Sequence, residues 1–132
     1  MDEFQWDSPE HVGVARLDEQ HRELHRLVTD LIRGLESHPG GPEDEAQFIK
    51  VFEVSVDHFK TEEDYLQGQE YPDLIPHRLE HELLLDWFLD QMVQRDVPKA
   101  RPLILLAREA GEIIQRHHET VDRAYAMWLK DR

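Results

Sequence analysis

The chain is expected to fold as an all-α protein, an up-down-up-down antiparallel four-helix bundle with an extended N-terminal arm. Three observations lead there. Proline and glycine cluster at three interior places, His38-Pro39-Gly40-Gly41-Pro42, Gly68 through Pro76, and Val97 to Pro102, and three breaks delimit four segments. Between them stand strong helix formers whose apolar members recur every three or four residues. No stretch rich in Val, Ile and Thr alternates apolar with polar residues as a half-buried strand does. At 132 residues the chain has the length of one domain, with residues 1–17 assigned to the arm and 18–132 to the bundle.

The arm carries Trp6, expected to pack onto the bundle. The first helix is expected over 18–37, with Asp18 as its cap. Along it Leu17, His21, Leu24, Val28, Leu31 and Leu35 form a heptad-like seam that includes a histidine. The second helix, over 43–67, has Pro42 at its start, where a missing N–H costs little. Its inward series is Phe48, Val51, Ser55, His58, Glu62 and Tyr65, which sets an imidazole and a carboxylate one turn apart. The third, over 74–95 with Pro76 in its first turn, faces inward with His77, His81, Leu84, Phe88 and Met92. The fourth, over 101–130 with Pro102 in its first turn, turns in Leu103, Leu106, Ala110, Ile114, His117, Val121, Ala124 and Trp128, with Asp122 beside the seam. Short connections make neighbouring helices antiparallel.

Composition excludes several functions. The 29 Asp and Glu against 15 Lys and Arg leave a net charge of -14, which repels a nucleic acid or an anionic bilayer. Without cysteine there is no disulfide, thiolate nucleophile, zinc knuckle or iron–sulfur cluster, so any metal chemistry uses nitrogen and oxygen donors. The opening Met1-Asp2-Glu3-Phe4-Gln5-Trp6 has neither the basic nor the apolar region of a secretory signal. The longest aliphatic run, Leu103 to Ala107, is far shorter than the ~20 residues a membrane span needs. A cytoplasmic location is expected.

The polar residues on the seams are the informative ones. Burying one unpaired polar group costs roughly 1 to 3 kcal/mol, and an unpaired carboxylate more. Five core histidines with two acids would then consume most of a typical stability of about 5 to 15 kcal/mol. A bound cation resolves the conflict. Five nitrogens and two carboxylates exceed what a four-coordinate zinc site uses, but suit two six-coordinate ions with shared carboxylates, redox-active iron being the best match. A ferritin-like site is disfavoured, because no histidine here follows a glutamate by three residues.

Gly13-Val14-Ala15-Arg16-Leu17-Asp18-Glu19-Gln20-His21, His58-Phe59-Lys60-Thr61-Glu62-Glu63, His77-x3-His81 and His117-x4-Asp122 together resemble the hemerythrin pattern, in the form of a single-domain bacteriohemerythrin. The resemblance runs from Trp6 to about Tyr125 and includes the family's 19-residue step between the second-helix and third-helix histidines. It implies one hemerythrin-like domain over 1–132 and two iron ions bridged by an oxo or hydroxo group and by the carboxylates of Glu62 and Asp122. His77, His81 and His117 would hold one iron. His21 and His58 would hold the other, five-coordinate one, where dioxygen binds. Leu24, Phe59, Ile113 and Ile114 would form the apolar wall of the oxygen pocket.

Two features depart from the family. Ile113 stands where a tryptophan is usual, which implies an enlarged pocket and faster autoxidation. His117 and Asp122, five residues apart, diverge by about 140° on an ideal α-helix, whereas His118 and Asp122 diverge by only about 40°. Ideal geometry favours His118; the resemblance favours His117 and with it predicts a π-bulge. The other polar candidates take ordinary roles. His118 stays outside the ligand set, His25 flanks its seam, His11 and His38 are surface residues, Glu63 supports the site or faces solvent, and Tyr125 orients the core or fills it. The His77-Arg78-Leu79-Glu80-His81 match to an inverted zinc-peptidase motif fails, because Glu80 would point away from the bundle axis.

The implied function is reversible dioxygen binding for storage, transport or delivery, a carrier rather than an enzyme. Alternatives are a di-iron oxidase or peroxidase acting on oxygen or peroxide, and a module sensing oxygen or nitric oxide. An oxygen-consuming protein partner fits a delivery role. A fused signalling domain is not expected, which weakens the sensor.

Overall fold

Helices form between the proline and glycine breaks, as expected. The computed structural model describes residues 11–37, 42–96 and 100–132. Trp6, His38 and most of the arm lie outside the described residues. Those described contain no strand and comprise α1 (Ala15–Ser37), α2 (Pro42–Gly68), α3 (Leu74–Val93), α4 (Leu103–His117) and α5 (Arg123–Asp131). A 3-10 turn, Gln94–Asp96, ends α3. A π-helical turn, His118–Asp122, joins α4 to α5 without interruption, so the two serve as the fourth helix. None of these helices is long and apolar enough to cross a membrane.

The first helix starts at Ala15, three residues earlier than expected, and Asp18 is not its cap. The Asp18 N–H already bonds the Val14 carbonyl at 2.9 Å, a helical bond. Its carboxylate instead reaches back to accept the N–H groups of Val12 at 2.7 Å and Gly13 at 3.2 Å. Gly13, at φ 90°, makes the turn that presents them. Val12 is thereby buried next to Leu17 and Tyr125.

The α2–α3 connection closes with a Schellman arrangement. Tyr71 N–H bonds Leu66 O at 3.0 Å, Glu70 N–H bonds Gln67 O at 3.0 Å, and Glu70 takes the left-handed position at φ 60°. Leu66 and Tyr71 meet in the apolar contact that accompanies such caps.

Two apolar clusters fill the interior. The larger contains Leu24, Val28, Leu31, Leu35, Phe48, Val51, Phe88, Leu106 and Ile114 among others. The smaller contains Val12, Leu17, Leu66, Tyr71 and Tyr125. Helix α1 runs from the smaller cluster into the larger, α2 runs back, α3 repeats the course of α1, and the fourth helix repeats that of α2. Between the two clusters, on every helix, stand the seam histidines and carboxylates.

The seam positions differ from expectation in two places. Toward the end of α2 the buried residue is Leu66, with Tyr65 only half buried. In the fourth helix Asp122 and Tyr125 are buried, while Val121 is half buried and Ala124 exposed. In the fourth helix the physical reason is the π turn, which inserts one residue into the α-helical register and moves the later inward positions by one.

Candidate metal centre

Eight polar side chains converge between the clusters: His21 from α1, His58 and Glu62 from α2, His77 and His81 from α3, and His117, His118 and Asp122 from the fourth helix. None is more than 5% exposed. The seven residues expected from the sequence are all present, and His118 joins them.

The two carboxylates divide the histidines. Glu62 Oε1 lies 2.7 Å from His77 Nε2 and 3.0 Å from His81 Nε2, while Oε2 lies 3.5 Å from His21 Nε2 and 3.3 Å from His58 Nε2. Asp122 repeats the division. Its Oδ1 is 3.1 Å from His117 Nε2 and 3.5 Å from His77 Nε2, and its Oδ2 is 3.5 Å from His21 Nε2 and 3.6 Å from His118 Nε2. Each carboxylate thus presents one oxygen to each of two histidine groups.

These donors have the spacing of coordination spheres. One donor atom from each of Glu62, His77, His81, His117 and Asp122 lies within 4.8 Å of all the others, and the same holds for His21, His58, His118 and Asp122. Ligands on opposite sides of an ion with bonds of about 2.1 Å are themselves about 4.2 Å apart. Several donors also lack any other use. Both ring nitrogens of His21 and His117, Nε2 of His58 and His81, and both Asp122 oxygens make no hydrogen bond among the described residues. A buried carboxylate in that condition is costly unless a cation meets it. The residues present therefore fit a pair of metal ions with nitrogen and oxygen ligands.

A surrounding layer of hydrogen bonds orients the rings. His58 Nδ1 is 2.8 Å from Gln20 Oε1, and Gln20 is itself held by Thr61 Oγ1 at 3.3 Å. His81 Nδ1 is 2.7 Å from Glu63 Oε2. With Nδ1–H donating in each pair, the Nε2 lone pair is left facing the carboxylates, the arrangement of a metal-ligating histidine. The Tyr125 hydroxyl donates to Glu62 Oε2 at 2.8 Å, so Tyr125 orients the core as well as filling it. Glu63 supports the site through His81.

Burial and the neighbouring charges compete in setting the protonation of the cluster. Burial lowers the pKa of His117 to about 4 and depresses those of His58 and His118. Burial would do the same to His21, but the Glu62 and Asp122 carboxylates outweigh it and raise that imidazole. Burial pushes Asp122 up, and the Glu62 charge adds to it. Glu62 goes the other way, since the imidazoles of His58, His21 and His77 outweigh its burial. Neutral imidazoles are the form that ligates a metal.

Of the apolar wall, Leu24, Phe59 and Ile114 are buried. Phe59 stacks flat on His81, with ring centroids 3.9 Å apart and planes at 4°. Ile113 is half buried and lines a cleft of about 130 Å³ with Glu80, Leu84, Arg116, His117 and Thr120, which puts it beside His117. The cause is the side of α4 on which it sits, one residue from the core position of Ile114. His25 is half buried and His11 exposed, as expected, and Glu80 faces solvent, which removes the zinc-peptidase alternative.

His118 is the residue that sequence reasoning set aside and the structure brings in. Its signal was available: the 40° divergence from Asp122 that ideal geometry favoured.

No family model and no solved structure matches the chain. Two curated relatives do. Over 84 residues the chain is 30% identical to a protein named myohemerythrin from Sipunculus nudus, and over 78 residues it is 32% identical to one named myohemerythrin from Theromyzon tessulatum. The alignments cover 64% and 59% of this chain and the same shares of the relatives, so the chain spans less than two thirds of their length.

Proposed function

We propose that this chain, whose membership of the hemerythrin family its two myohemerythrin relatives support, holds two iron ions and binds dioxygen reversibly. One observation carries the reading: the oxygens of Glu62 and Asp122 are shared out between two groups of buried histidines. His77, His81 and His117 would hold one iron, His21 and His58 the other, and the two carboxylates would bridge them. The alternating course of the helices between the two clusters supports an up-down-up-down order, and the chain is read as one hemerythrin-like domain.

Bound iron would supply the redox change that accompanies oxygen binding. The chain's own residues prepare for it. Gln20 and Glu63 hold the His58 and His81 rings in one tautomer. Tyr125 keeps Glu62 in place, and the buried Leu24, Phe59 and Ile114 exclude water. Exclusion of water and stray protons favours release of the ligand unchanged over its conversion.

A second reading, an oxidase or peroxidase, is favoured by one feature, the cleft beside His117 where Ile113 sits. A single experiment separates the two. The purified, iron-replete chain is analysed for metal, reduced without air, and followed by ultraviolet-visible absorption on admitting air and again on degassing. About two irons per chain and a spectrum that returns on degassing are expected. One zinc per chain would overturn the metal assignment. A spectrum that moves irreversibly to the oxidised form would favour the oxidase.

A further inference from the structure

Resting on the two-iron reading, the geometry points to His118 as a third imidazole ligand of the ion held by His21 and His58. The two ions would then have the same donors, three imidazoles and one oxygen from each of two carboxylates. His118 is 3% exposed and lies in the centre of the protein. Its ring centroid is 4.2 Å from that of His21 and 6.4 Å from that of His58. It belongs to the four-donor group of His21, His58, His118 and Asp122 that has the dimensions of a single coordination sphere.

The π turn explains how adjacent residues serve different ions. On a regular α-helix His117 and His118 would point about 100° apart, and only one could address Asp122. Across His118–Asp122 the backbone takes the i→i+5 register instead, which brings residue 117 over residue 122 while 118 stays within one turn of it. The two rings then flank one carboxylate, His117 on Oδ1 at 3.1 Å and His118 on Oδ2 at 3.6 Å. Oδ1 also faces His77, and Oδ2 also faces His21, so the neighbours of each oxygen belong to one group. His118 completes the group that otherwise has two imidazoles against three in the other.

This assignment has a consequence for ligand access. With His118 the second group would offer three imidazoles and two carboxylate oxygens, leaving fewer positions for an external ligand than a group with two imidazoles. His118 then occupies the place that an external ligand needs, and such a ligand binds only as His118 gives way. The residue would act as an internal competitor that weakens binding of dioxygen and of small anions.

The test uses the full chain loaded anaerobically with ferrous iron, beside His118→Leu, which keeps similar bulk and removes the donor nitrogens. Iron content and loss of iron to a chelator are measured first, then azide binding to the oxidised proteins by absorption. Wild type is expected to hold two irons and to bind azide at least about tenfold more weakly than the variant. The variant is expected to hold one of its irons about 10- to 100-fold more weakly, the range seen when a metal site loses supporting groups. A measurement on wild type alone guards against a variant that fails to fold. Hyperfine-shifted imidazole N–H resonances of the reduced protein should number six if His118 ligates, matching His21, His58, His77, His81, His117 and His118, and five if it does not. Two irons with five such resonances, or equal azide affinity in a folded variant, would overturn the assignment of His118 and leave the two-iron reading standing. Fewer than two irons in wild type would overturn both.

Discussion

At the scale of single residues, the candidate ligands were legible because each interrupts an otherwise apolar seam. His21 stands between Leu17 and Leu24, and His81 precedes Leu84 on the same face; all are buried. Supporting residues were less legible. Glu63 and Gln20 sit off the seams, and only the packed helices show that their side chains reach His81 and His58. The surroundings of Ile113 were not legible for a related reason, since what it borders depends on which way α4 faces. Its position now gives a specific expectation. The cleft it lines is about 130 Å³, so a tryptophan there has space to occupy, and the roughly 1 to 3 kcal/mol cost of overpacking is not incurred. Ile113→Trp should therefore keep its melting temperature and, by closing the route to His117, lose iron to a chelator more slowly than wild type. Equally fast loss at unchanged melting temperature would mean that iron leaves by another path.

At the scale of elements, the breaks located all four helices, but their ends depended on interactions that composition does not display. Asp18 has the chemistry of a cap, yet its carboxylate holds Val12 and Gly13 while the helix begins before it. The π turn was expected only because the family resemblance pairs His117 rather than His118 with Asp122, and its effect on Val121, Ala124 and Tyr125 follows from the one-residue insertion. After α2 the residue with φ 60° is Glu70, although Gly68 is the glycine in the sequence. A left-handed non-glycine residue costs about 1 to 2 kcal/mol, and glycine gives back part of the gain through its freer unfolded chain. Glu70→Gly should accordingly stabilise the protein by about 0.5 to 1 kcal/mol, read from denaturant midpoints at equal slope. A lowered midpoint would mean that the Glu70 side chain makes a contribution larger than the backbone strain.

At the scale of the whole molecule, the polar layer sits between two apolar clusters of unequal size. The larger draws on α1, α2, α3 and α4, whereas the smaller is built from the segment before α1, the first turn of α1, the end of α2, the α2–α3 connection and α5. The layer joins them, and in the metal-free protein it brings together Asp122, whose oxygens make no hydrogen bond among the described residues, and imidazoles with several nitrogens in the same condition. Metal binding relieves that cost, so its free energy is also folding free energy. Removing the metal should lower the melting temperature, and the loss should be uneven. Amide hydrogen exchange should quicken first around Val12 and Leu17, Leu66 to Leu74 and Arg123 to Leu129, where few apolar contacts remain once the layer loosens. Around Val28, Leu31, Phe48, Phe88 and Leu106 the larger cluster should retain its protection. Restoring iron should reverse the difference without moving the larger cluster. Uniform loss of protection would mean that the two clusters fold as one unit, and an unchanged melting temperature would mean that the buried ligands are satisfied without metal.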